Sequence, residues 1–234
     1  ARLPGGQRLY SERDVALIRW LHERTAEGMT ISRALRLLEA CQAEGAPRPE
    51  PAPRTFAQLQ HDLIERLVDF DAGGAEAVIA EAFALYPVDD VCLELFQPTL
   101  VEIGERWRAG GLSVAAEHFA THLIRCKIAS LLQVYETPRR GSPIVLACPA
   151  EEQHEIGLLL VALFLARRAW PVLYLGPNVP ADDLRTVVQH VQPRLVILSA
   201  TTEETARHLV ETTEMLAALA EPRPRLAYGG QAFD

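Results

Sequence analysis

Paired cysteines, a membrane-length apolar run and a surplus of positive charge are all missing from this sequence, and each absence narrows the function. The four cysteines, Cys41, Cys92, Cys126 and Cys148, stand far apart and form no C-x-x-C pair, which argues against a zinc centre built on thiolates. Each sits in apolar, periodic surroundings and reads as a small buried hydrophobe, a usage that suits the reducing cytoplasm. The most apolar stretch, residues 156–165, runs into Arg167 and Arg168 too early to span a bilayer. Nothing at the start reads as a signal peptide. The expected location is therefore cytoplasmic, with no membrane partner. A net charge of −8 argues against a nucleic-acid surface spread over the whole chain.

The charge is nonetheless uneven: residues 1–36 carry seven arginines (Arg2, Arg8, Arg13, Arg19, Arg24, Arg33, Arg36) against four acids. The apolar fraction of 49% is ample for a sizeable core. The chain opens without Met and in mid-motif, so a piece of a longer protein is expected.

Four regions follow one another. Residues 1–44 begin with a Pro-Gly-Gly turn, then Arg8-Leu9-Tyr10. Ser11 reads as an N-cap with Asp14 in the capping-box position. A helix over 12–26 carries Val15, Ile18, Leu21 and His22 on one face, and a second over 31–43 carries Ile31, Ala34, Leu35 and Leu38. Residues 45–54 hold four prolines and read as a semi-rigid linker. Residues 55–137 show helical patterns at 55–70, 73–86, 88–109 and 113–136, broken at Gly73-Gly74, Pro87 and Gly110-Gly111. Such short connections predict an antiparallel four-helix bundle. From residue 143 to 234 β-type runs at 143–148, 171–175, 194–199 and 225–229 alternate with helical patterns at 155–169, 181–191 and 203–220. That alternation predicts a parallel sheet covered by helices on both faces. The pattern stops just after the fourth strand, so a C-terminal truncation is also expected.

In a doubly wound sheet ligands bind beyond the carboxyl ends of the strands. The loop after the first strand reads Pro149-Ala150-Glu151-Glu152-Gln153-His154-Glu155-Ile156-Gly157. A histidine there points into the crevice, and Glu152 stands where a carboxylate can hold the second ring nitrogen of a ligating imidazole. Gly157 leaves the start of the next helix bare. Ser199 ends the third strand and Gly229-Gly230 the fourth, so small residues line a slot at three neighbouring strand ends.

Glu152-x-His154-x-x-Gly157, followed by Ser199 and Gly229-Gly230, resembles the base-off, His-on cobalamin-binding domain shared by methionine synthase and the B12-dependent mutases. The resemblance covers residues 143–230. It implies a Rossmann-like (flavodoxin-like) fold with His154 as the cobalt ligand. Two departures stand out: Glu152 replaces the usual Asp, and Ser199-Ala200-Thr201 replaces Ser-x-Leu.

The upstream helices resemble the bundle that caps the corrin in methionine synthase. Trp107, then Glu117-His118, resembles the W-x9-E-H signature of the CarH/LitR group of light-responsive, adenosylcobalamin-binding MerR-type regulators. Trp107 offers a flat apolar wall, and Glu117 and His118 offer hydrogen bonds to a nucleoside. Members of that group with known light chemistry carry His directly after the Trp, where this chain has Arg108. Pro4-Gly5-Gly6-Gln7-Arg8-Leu9-Tyr10 with Asp14-Val15 resembles the MerR wing and its following helix. The resemblance implies a winged-helix remnant in which Arg2, Arg8 and Tyr10 face DNA.

The whole is expected to be a multidomain α and α/β regulator: winged-helix remnant, four-helix bundle cap and α/β cobalamin domain. Its implied cofactor is adenosylcobalamin, a cobalt corrinoid. Its implied partners are operator DNA and further copies of itself, in a homo-oligomer set by cofactor and light. An enzyme is not expected, since no substrate barrel is present. The alternative is a corrinoid-binding protein of a methyltransferase system, which would have no use for a wing. A regulator that has abandoned the cofactor would have no use for His154.

Overall fold

The computed structural model describes residues 53–135, 141–219 and 223–233, together with scattered positions between 15 and 35. The chain packs as two units, Ala1–Arg54 and Thr55–Asp234. Arg2, Arg8 and Tyr10, with the rest of the wing and most of the proline-rich segment, lie outside the described residues. In the first unit Val15, Ile18, Arg19, Leu21, His22 and Thr25 are helical, as are Ile31, Ser32 and Leu35, with Met29 and Thr30 between them not helical. The apolar stripes remain open to solvent at Val15, Ile18, Ile31 and Leu35. Periodicity marks an apolar face; it does not say that anything lies on it.

The second unit begins with α1 (Phe56–Val68) and α2 (Ala72–Leu85). Thr55 caps α1 through a reciprocal box with Gln58. The run from 88 to 108, expected as one helix, divides. A short α3 (Val88–Asp90) leads into a π-type segment (Val91–Phe96) and then α4 (Gln97–Arg108). Pro98 accounts for the wide turn: it has no N–H to give the Glu94 carbonyl, and its ring crowds that oxygen. The Gln97 N–H reaches back five residues, to the Cys92 carbonyl. The widened turn puts Val91, Cys92, Leu95 and Phe96 all in the core. The long α5 (Val114–Tyr135) completes the helical layer.

The α/β part runs β1 (Ile144–Pro149), α6 (Ile156–Arg167), β2 (Val172–Val179), α7 (Ala181–Val191), β3 (Leu195–Ser199), α8 (Glu203–Ala217) and β4 (Arg225–Gly229), then a 3-10 turn at Gln231–Phe233. The strands are parallel in the order β2-β1-β3-β4. The chain leaves β1 toward β2 on one side and returns to β3 on the other, so the topological switch point lies between β1 and β3.

Strand periodicity divides the core. Ile144, Leu146 and Cys148 of β1 face α6, in a cluster that continues without a break into Leu59, Leu63, Phe96, Ile124 and Ile128 of the helical layer. Val145 and Ala147 face the opposite side, with Leu184, Val188, Leu209 and Leu216 of α7 and α8. Helix α6 is therefore a middle layer between the sheet and α5. A helix covered on two sides must be apolar nearly all round; Leu158, Leu159, Leu160, Ala162, Leu163 and Ala166 are all buried. That sandwich accounts for the apolar run at 156–165. Among the described residues no helix is long and apolar enough to cross a membrane.

Two expectations need correction. β2 does not stop at residue 175 but continues to Val179 through an irregular pairing with β1, because Gly176 takes φ +85° and lets the strand kink and resume. Cysteine burial also holds only in part: Cys92 and Cys148 are buried, whereas Cys126 is partly exposed, with its Sγ 3.5 Å from His122 Nε2. Cys126 lies one helical turn beyond His122 on a half-open face of α5, a placement that the surrounding apolar residues conceal in the sequence. Cys41 lies outside the described residues.

Candidate functional site at the carboxyl ends of the strands

The loop from β1 to α6 is held in place by β2. Asn178, at φ +55°, gives its backbone N–H to the Glu152 carbonyl (3.0 Å), and its Oδ1 accepts from the Glu151 N–H (2.8 Å). Thus clamped, the loop turns the Glu152 side chain inward, 1% exposed, and the His154 ring outward, 71% exposed.

Glu152 Oε1 accepts from the His154 backbone N–H and from its Nδ1, both at 2.8 Å. Oε2 accepts from the Thr201 N–H (2.6 Å), the Thr201 hydroxyl (2.8 Å) and the Thr205 hydroxyl (2.7 Å). Burial alone would raise this carboxyl; the hydrogen bonds from His154, Thr205 and Thr201 outweigh it and bring the pKa down to about 2. The N-terminus of α8 lies beside the same carboxylate, and its dipole also favours negative charge. Thr202 and Thr205 form the capping box of α8, so one hydroxyl both caps a helix and ties off the site.

An ionised Glu152 facing Nδ1 fixes the ring tautomer. In the neutral ring the carboxylate draws the proton to Nδ1 and leaves the lone pair on Nε2, which has no hydrogen bond among the described residues. That is the donor a borderline metal takes from histidine. The Thr201 hydroxyl oxygen, 2.9 Å from Nδ1, steadies the ring from the other side.

At the neighbouring strand ends, Ser199 pairs with Gly229. A Cβ added at Gly157 or Gly229 would meet only open space, so the backbone there is accessible to a large flat ligand. Gly230 is different. At φ +110° its Cβ would lie 2.2 Å from the Ala200 carbonyl oxygen; the fold itself demands that glycine. The outward imidazole, the bare backbone at Gly157 and Gly229 and the switch-point location all fit a cobalt corrinoid laid across the strand ends.

Trp107 and the Glu117-His118 pair lie on α4 and α5, on either side of the 109–113 turn. Trp107 is 43% exposed. Glu117 accepts from the Thr121 hydroxyl (2.8 Å) and sits 2.6 Å from His118 Nδ1. Among the described residues no hydrogen bond or ion pair joins this pair to the His154 cluster. Further down α5, Arg125 Nη1 approaches Glu155 Oε1, next to His154, at 3.5 Å. The α5 face bearing His118, His122 and Arg125 at helical spacing therefore leads to the loop.

Sequence reading singled out His154 and Glu152, which the structure joins. It missed Asn178, Thr205 and the part played by Thr201. Thr201 stood out only as a departure from a motif, and that departure was the signal: a longer carboxylate and an added hydroxyl meet each other.

Comparison with known proteins agrees with this geometry. Two family models, both described as B12 binding domain, match residues 59–132 and 142–234. The HTH-type transcriptional repressor CarH of Myxococcus xanthus is 35% identical over 221 residues, covering 92% of this chain and 74% of that protein. The repressor CarA of the same organism is 29% identical, covering 82% of this chain and 63% of its own length. A monomethylamine corrinoid protein of Methanosarcina barkeri superposes with a TM-score of 0.62 over 75% of this chain and 85% of its own. At 15% identity that likeness speaks for the fold alone. CarH and CarA are named as transcriptional repressors and not as enzymes, in line with the reading of a non-enzyme. The chain belongs to the CarH family of HTH-type transcriptional repressors.

Proposed function

We propose that this chain acts as a cytoplasmic cobalamin-dependent transcriptional regulator. The observation that carries the reading is the His154 imidazole, turned to solvent and held through Nδ1 by a buried, ionised Glu152. His154 would hold the cobalt of the corrinoid through its ring, in the base-off, His-on mode. A bound corrinoid would supply a cobalt centre that takes a nitrogen ligand and, in its alkyl forms, a light-sensitive cobalt–carbon bond.

The chain's own residues orient and select. Glu152, Thr201 and Thr205 hold the His154 ring; Ser199, Gly157, Gly229 and Gly230 keep the strand ends low; the four-helix layer caps the opposite side. Trp107, Glu117 and His118 select the adenosyl form by stacking and hydrogen bonding. The N-terminal residues Arg2, Arg8 and Tyr10 contact operator DNA as a MerR-type wing. Cofactor and light set the oligomeric state, and hence how many wings reach DNA together. The methyltransferase alternative finds support only in fold.

The test is retention of hydroxocobalamin through gel filtration, with the visible spectrum recorded. Wild type is expected to co-elute with the corrinoid and to show a histidine-ligated cobalt spectrum. His154→Ala is expected to lose both. Equal retention and an unchanged spectrum in the variant would overturn the assignment.

A further inference from the structure

Glu155 follows His154 directly and stands at the start of α6, yet the ligand reading gives it no task. Its carboxylate is only 12% exposed. Oε1 faces Arg125 Nη1 of α5 at 3.5 Å, and Oε2 accepts from the Tyr174 hydroxyl of β2 at 2.6 Å. Three elements thus meet at one carboxylate: the helical layer, the histidine loop and the sheet. Gly176, at φ +85°, lies opposite, where a Cβ would come within 3.7 Å of Oε2 and 3.9 Å of the Tyr174 ring. Those are ordinary contact distances, so the positive φ and not a lack of room calls for glycine there.

Apart from Arg167, which lies over the Tyr135 ring of α5 at 5.3 Å from its centroid, the α5–α6 contact is built on apolar side chains such as Ile124, Ile128, Leu159 and Leu163, and apolar faces tolerate small slides better than hydrogen-bonded ones. Polar ties occur at the two ends of α6. At its C-terminus Arg167 and Arg168 bind Asp89 of the helical layer. At its N-terminus, beside His154, stands the Arg125–Glu155–Tyr174 group. A partly buried ion pair adds little net stability, because desolvation offsets attraction. What it does add is a defined position.

We propose that Arg125, Glu155 and Tyr174 form a positioning bridge that fixes α5 over the His154 loop and so sets how fast a bound corrinoid leaves. The inference rests on the cobalamin reading above. These are positioning residues: they act through the spacing between α5 and the loop, not by touching cobalt. The bridge runs from α5 through Glu155 to β2. With it closed, α5 cannot lift away from the His154 loop without breaking an ion pair. With it open, the apolar contact and the ties at the far end of α6, Arg167 over Tyr135 and Arg167 and Arg168 to Asp89, are what resist.

The experiment loads the full chain with hydroxocobalamin and follows release on dilution by visible absorbance, alongside the thermal midpoint of the unloaded protein. Arg125→Ala and Glu155→Gln are each expected to speed release roughly tenfold, the double variant no more than either, and Arg125→Lys to stay within about twofold of wild type. The spectrum of the bound form should stay that of wild type, since His154 is untouched. Should Glu155→Gln fail to fold, Tyr174→Phe takes its place in the cycle. Release rates equal to wild type overturn the bridge. So does a double variant that shows the product of the two single effects, or a change confined to the thermal midpoint. A wild type that retains no cobalamin overturns the cobalamin reading itself, a result separate from wild-type binding with unaltered variants.

Discussion

Glu152 serves two groups with one carboxylate, Oε1 holding the imidazole and backbone of His154 and Oε2 holding Thr201 and Thr205. Substituting Glu152→Gln keeps the shape but removes the charge and turns one acceptor into a donor facing hydroxyls and N–H groups. Cobalamin affinity is expected to fall about 10- to 100-fold, measured by titration, with His154 still required for whatever binding remains. The same group gives a pH signature in the unloaded protein. Its folded pKa of about 2 lies below the ordinary glutamate value of 4.5, so its contribution is complete above the higher value and drains away as pH falls toward the lower one. Urea midpoints at pH 6 and pH 3 should therefore fall more steeply in wild type than in Glu152→Gln; parallel falls would contradict the assignment. His154 and Glu152 were legible because they lie two residues apart in one loop. Thr201 and Thr205 were not, since only the β1–β3 pairing brings residues 49 and 53 positions away to the same carboxylate.

At the scale of elements, α6 and the turn after β4 offer clear tests. Leu163 is fully buried in the middle layer, and Leu163→Ala should cost about 2–5 kcal/mol through lost contacts and a residual cavity, read from chemical denaturation. Gly230→Ala confronts φ +110° and a carbonyl oxygen 2.2 Å from the new Cβ. It should destabilise by more than about 1 kcal/mol, whereas Gly229→Ala, with open space around it, costs less in stability and more in cofactor binding. Equal stability losses would contradict the distinct roles of the two glycines. Element type and order were legible from periodicity, from β1 through α8. Two features were hidden: the π-type turn ahead of Pro98, because a proline within an apolar helical pattern does not say how the backbone adapts, and the continuation of β2 past Gly176-Pro177, because that pair ordinarily punctuates a strand.

For the whole molecule, the cap proposal makes selectivity a property of the helical layer and retention a property of the sheet. Trp107→Ala should narrow the preference for adenosylcobalamin over methylcobalamin while leaving hydroxocobalamin binding largely intact. Equal affinity of wild type for both alkyl forms would remove Trp107 from the pocket. Assembly is tested by size-exclusion chromatography with adenosylcobalamin in the dark and after illumination, where an earlier elution in the dark is expected. An unchanged volume would reject a light-driven switch and leave the cobalt site standing, since a ligand shifts assembly only by binding two states unequally.

The position of α6 has a further consequence, for portability. A wall shared by two rooms cannot be removed with one of them. Expressed alone, residues 141–233 would present to water the side of α6 that α5 now covers, together with the bare flank of Leu160 and its neighbours. Such a fragment is expected to aggregate or to bind a hydrophobic dye strongly, and fragment 53–135 to do likewise, whereas the two mixed together should recover a soluble 1:1 pair. A lineage carrying this sequence would have to inherit the helices and the sheet as one indivisible cassette.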